Sequence, residues 1–111
     1  MAYPSELTSQ LKAGDSIVQF AELQYGWIAV TEERVIYSAR VYYKDTKTKS
    51  NEVGNYPISK ITNIRTVQQK TGCFGKSAIL EINMQGAVYQ LMVGKDISKV
   101  KPIIQAFNER S

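Results

Sequence analysis

Residues that commonly carry chemistry are scarce in this chain. It has no histidine and one cysteine, Cys73, so Cys/His zinc sites, Ser-His-Asp triads and Cys-His dyads lack their ligands and bases. Without a neighbouring base to form a thiolate, Cys73 reads as a small residue in a strand-connecting loop. The carboxylates are dispersed. Glu32 and Glu33 are adjacent, but successive residues in a turn diverge instead of facing one another. Gly72, Gly75 and Lys76 miss the G-x-x-x-x-G-K-[ST] spacing, and no strand-to-helix phosphate cradle follows them. The expectation is a protein with no catalytic residue, metal, cofactor or small-molecule substrate.

What remains is binding. Fourteen basic and ten acidic residues leave a net charge of +4, an excess that matters only where it clusters. Lys44, Lys47 and Lys49 fall in one polar loop, and Lys70 and Lys76 flank another. The first loop has no aromatic residue for base stacking, so nucleic acid is not an expected partner. At an anionic membrane each of its lysines contributes ~1 kcal/mol. Weak contact with lipid head groups through Lys44, Lys47 and Lys49 is therefore the alternative function.

The elements that would position these residues are mostly strands. Ser5, Glu6, Leu7 and Leu11, between Pro4 and Gly14, form a short helix of marginal burial. Ser16 to Leu23 is a first strand. From Tyr25 to Tyr43 the sequence YGWIAVTEERVIYSARVYY alternates with period two on both sides of Thr31-Glu32-Glu33-Arg34, which predicts a β-hairpin. KDTKTKSNEVG, residues 44 to 54, has almost no apolar residue and reads as an exposed hairpin tip.

A short strand around Tyr56 and Ile58 and another from Ile61 to Gln69 follow, and Pro57 belongs at a strand start or edge. Residues 71 to 76 form a tight connection. A second hairpin turns at Gln85 and Gly86. After Gly94 the period becomes 3.6, placing Ile97, Val100, Ile104 and Phe107 on one face of a helix capped by Asp96. Pro102 means that this helix either kinks or has its regular part starting there. The sum is about seven antiparallel strands in a barrel or sandwich, capped by a C-terminal helix and preceded by a short N-terminal one.

A chain of 111 residues with 43% hydrophobic and 22% charged side chains suits one globular domain spanning residues 1 to 111. No apolar run approaches the ~20 residues of a membrane span. The first residues lack a secretory pattern, and the lone cysteine gives no sign of an oxidising compartment. The expected location is the cytoplasm.

Gly26, Ile28, Val30, Thr31, Arg34, Val35, Ile36 and Tyr37 spell G-x-[LIV]-x-[LIV]-T-x-x-R-[LIV]-[LIV]-Y, and Pro57, Ile58, Ile61 and Ile64 form a second run. Both resemble bacterial pleckstrin-homology (PH-like) domains, which implies a PH-like barrel over roughly Gly14 to Phe107. In lipid-binding members, lysines and arginines of the first strand pair and its loop hold inositol phosphates. Residues 17 to 27 here have Glu22 and no basic residue, so that site does not carry over.

The resemblance implies instead an oligomer, some relatives forming closed rings. One face of the central hairpin presents Trp27, Ala29, Ile36 and Tyr42 where a solvated sheet would be polar. These four are the expected interaction surface of a homo-oligomer or a protein-binding module, the alternative being that a strand, a loop or the N-terminal helix of the same chain covers them.

Overall fold

The computed structural model describes residues 3–72 and 75–111, with the side chains of residues 69–76 outside the description. Cys73 and the side chains of Lys70 and Lys76 therefore lie outside it. Alternating apolar residues build seven strands: β1 (Ile17–Leu23), β2 (Gly26–Thr31), β3 (Arg34–Tyr43), β4 (Thr48–Pro57), β5 (Ile61–Gly72), β6 (Gly75–Met84) and β7 (Ala87–Gly94). All pair antiparallel, in the order β1-β2-β3-β7-β6-β5, with β4 on the other side of β3.

β3 joins the two halves of the sheet. Its first part pairs with β2, from Val35↔Val30 to Ser38↔Trp27, and its end pairs with β7 through Val41↔Leu91 and Tyr42↔Gln90. Along its opposite edge β4 runs the full length, from Arg34↔Pro57 to Tyr43↔Thr48. The sheet curls so that Ile28, Val30, Val35, Tyr37 and Val41 meet Leu80, Ile82, Leu91 and Val93 in one core.

The turn residues Thr31 and Gly26 each have a local job. Thr31 is buried, and its Oγ1 accepts the amides of Glu33 at 3.2 Å and Arg34 at 2.9 Å. These bonds close the turn between β2 and β3. At Gly26 any Cβ would overlap the Ser38 carbonyl, so only glycine lets β2 start so close to β3.

The C-terminal segment closes the barrel. Asp96 accepts the Ser98 amide at 3.0 Å and caps a 3-10 turn over Ile97–Val100. The helix α2 (Lys101–Arg110) then starts with Pro102 in its first turn, where a missing N–H breaks no helical bond. Of the two expectations for Pro102, the structure adopts the later start. Val100 and Phe107 are buried as expected, but Ile103 takes the central place assigned to Ile104, which is half-buried like Ile97. The cause is the 3-10 turn, whose tighter winding rotates the helical face.

Two other expectations are corrected. Residues 48 to 54 form most of β4, a ten-residue strand, and the connection shrinks to Lys44–Lys47, with Lys47 at φ 56°. The segment lacks apolar alternation because β4 is a largely exposed edge strand held mainly by its ladder to β3. The N-terminal helix, α1 (Ser5–Thr8), is a single turn, yet its Leu7 is fully buried.

Candidate binding surfaces

The surface expected from Trp27, Ala29, Ile36 and Tyr42 is two separate clusters, and neither is open. Leu7 seats on Trp27, Ala29 and Ile36, with Leu11, Ile17 and Phe20 around them. Trp27 keeps 6% of its surface exposed. Tyr42 packs elsewhere, with Ile79, Met92 and Val67. The apolar face is thus covered by the chain's own N-terminal segment.

Polar ties hold that segment like a strap across the sheet. Arg34 pairs with Asp15, and its Nη2 donates to the Gln10 carbonyl at 3.4 Å. Asn55 of β4 donates to Gln10 Oε1 at 3.1 Å, and Tyr3 packs on Phe20 of β1 with ring centroids 5.2 Å apart. The Lys12 amide and the Arg34 guanidinium outweigh partial desolvation and hold the Asp15 carboxyl below its usual range. Sequence reasoning had Arg34 only as a motif letter. Its position at the mouth of β3 beside Thr31 was the available signal; the segment it would grip lay far away in sequence.

The three lysines come together loosely. Lys44 and Lys47 stand in the β3–β4 turn, and Lys49 lies on β4 opposite Tyr42. Lys44 lines an open cleft of about 370 Å³ with Tyr42, Tyr43, Asp45, Val88 and Gln90. Of the three lysines it alone reaches that cleft, and Asp45 beside it offsets its charge.

Two polar networks were not foreseen. Glu81 is buried on a sheet face, where it accepts Arg65 Nε at 2.7 Å, Gln90 Nε2 at 2.9 Å and Asn83 Nδ2 at 3.1 Å. Burial pushes its carboxyl up, but the bonds from Gln90, Arg65 and Asn83 outweigh this and leave it below its usual range. Inside the barrel, Tyr37, Tyr56 and Tyr89 stack in series, with centroids 6.2 and 5.7 Å apart. Burial and the neighbouring Tyr56 push the Tyr37 phenol up. Tyr43 donates to Glu52, a bond that raises its phenol to about 12. The Glu81 carboxylate is fully engaged, while the buried Oε1 of Gln90 beside it has no hydrogen-bond partner.

Sheet edges remain. Beyond its ladder with β3, β4 has no strand partner among the described residues, and β1 pairs with β2 alone. Past the end of β1, a single bond runs from the Gln24 amide to the Val93 carbonyl at 3.0 Å. Val53 on β4 is 56% exposed, and Tyr3 and Tyr25, at the β1 side, are also exposed. An open cleft of about 380 Å³ lies over the β1 edge, lined by Gln19, Phe20, Ala21, Glu22, Lys99 and Pro102. Among the described residues no cluster of His, Cys, Asp and Glu can hold a metal. No described helix is long and apolar enough to cross a membrane.

A curled seven-stranded antiparallel sheet closed by a C-terminal helix is the pleckstrin-homology fold, and the chain adopts it. It is similar to the crystal structure of a pleckstrin homology domain from Shewanella amazonensis SB2B, with 19% identity and a TM-score of 0.54 over 93% of this chain and 92% of that one. No family model matches the chain, and neither does any curated protein. A fold hosts many unrelated roles, so this likeness gives the architecture alone.

Proposed function

We propose that the domain is a non-catalytic protein-interaction module that assembles with copies of itself. One observation carries this: β4 presents a ten-residue edge with no further strand partner among the described residues. A free edge is a row of unpaired amides and carbonyls that templates pairing with another chain, and proteins that stay apart usually shorten or cover it. Here it is long, and Val53 stands exposed beside it. Trp27, Ala29 and Ile36 are buried under Leu7, which favours the sheet edges over the sheet face as the assembling surface.

Light scattering across a concentration range tests the proposal. Species heavier than 12.5 kDa that grow with concentration are expected. A single 12.5 kDa species at every concentration, the outcome for a monomer with its face already covered, would refute it.

A further inference from the structure

We infer that the joint between copies is head to tail, with β4 of one copy lying along β1 of the next and Lys49 of the first meeting Glu22 of the second. This rests on the self-assembly proposed above and names its surfaces.

Strand directions come first. β1, β2, β3 and β4 alternate in direction and are adjacent in order, so the two outer edges of this four-stranded half run opposite ways. Placing β4 of one copy beside β1 of another therefore gives antiparallel pairing with the same sheet face up in both. No flip is needed, and the joined pair keeps one free edge of each kind.

Lengths then fix the span. On β4, Asn55 is engaged by Gln10, and Pro57 has no amide to donate. Ahead of both, Thr48 to Gly54 spans seven residues, and β1 is seven residues long. Pairing Leu23 with the partner's Thr48 sets Glu22 opposite Lys49 and Phe20 opposite Asn51, up to the bulge that interrupts β1 between Ile17 and Gln19. The Leu23↔Gly26 pair closes the β1–β2 turn, so alternation leaves the amides and carbonyls of Glu22 and Phe20 pointing to the free edge.

Charge and face agree with that register. Glu22 lies opposite Trp27, which lies opposite Ser38; Lys49 lies opposite Tyr42, on the same face of β3 as Ser38. Both side chains are exposed. Directly opposed unlike charges stabilise an antiparallel pair and like charges oppose it. The same register brings exposed Val53 to the β1 side, where Phe20 and Tyr3 lie. The cleft between β1 and Lys99 and Pro102 is the space the incoming strand enters.

A charge-swap series on the full chain tests the joint. E22K and K49E should each assemble at least tenfold more weakly than wild type, because each self-joint opposes like charges. The double variant E22K/K49E should regain assembly, and mixing the two single variants should produce co-assembly in equal proportion, since both mixed joints restore opposite charges. At a dilution where wild type is dissociated, thermal unfolding midpoints should match wild type, because both residues are exposed and neither carries a tie in the fold. If wild type assembles and the single variants assemble as well as it does, or if neither the double variant nor the mixture recovers, the joint is refuted while self-assembly stands. If wild type stays monomeric, both fall.

Discussion

Gly54 of β4 lies directly opposite Tyr37 of β3, and a Cβ built on it would sit well inside the van der Waals envelope of the Tyr37 ring. That ring is almost wholly buried and stacked toward Tyr56, so it has nowhere to go. The missing side chain of one strand makes room for the largest buried side chain of the other.

Gly54→Ala should therefore destabilise the fold by ~1–3 kcal/mol through overpacking. The urea unfolding midpoint should fall with little change in slope. An unchanged midpoint would mean that Tyr37 has a second place to lie.

Acid should loosen the strap before it unfolds the barrel. The Asp15 carboxyl is held below its ordinary value, so its pairing with Arg34 contributes stability above ~4 and loses it as pH falls through the lowered value. The chain has one tryptophan, and Leu7 covers it. Trp27 emission should shift to the red as pH drops below ~4, and Arg34→Leu should show the shifted emission at neutral pH.

In the closing helix, Ile103→Ala should cost ~2–5 kcal/mol as a cavity in a sealed core. Ile104→Ala should cost distinctly less, because Ile104 is only half-buried. Thermal denaturation of the two variants side by side checks the order.

Alkaline titration should find Tyr43 late. Its bond to Glu52 raises the phenol to about 12, against ~10 for an unfolded chain. The neutral phenol thus contributes stability that is complete below ~10 and lost as pH climbs toward the raised value. Absorbance at the tyrosinate band should show a late-titrating phenol that returns toward the ordinary value in Glu52→Gln.

Much of this fold was legible because alternation and turn chemistry are local. The β2–β3 hairpin, the Gln85–Gly86 turn and the closing helix all announce themselves within a dozen residues. β4 did not, since an exposed edge strand owes its existence to its neighbour's ladder and needs no apolar period. Ile103 was displaced by one position because a 3-10 turn precedes the helix, and winding type leaves no compositional trace. The apolar row Trp27, Ala29 and Ile36 was readable as a face that demands a cover. That the cover is Leu7, and that Arg34 ties it down through Asp15 and Gln10, depends on contacts between distant segments that no local pattern encodes.

Every ladder but one joins strands that follow each other in the chain, and the exception is the pair of rungs Val41↔Leu91 and Tyr42↔Gln90. Because β4 and β5 share no ladder, the molecule consists of two hairpin stacks, β1 to β4 and β5 to β7, joined at that seam, with α2 clasping both by its contacts to β1, β2 and β5. Two rungs are a slight seam, so what binds the two stacks is the shared core of Ile28, Val30, Val35, Tyr37 and Val41 against Leu80, Ile82, Leu91 and Val93 more than the sheet ladder itself. Closing the seam brings together residues 41 and 91, a far longer loop than any of the hairpins closes, and so carries a larger entropic cost than they do.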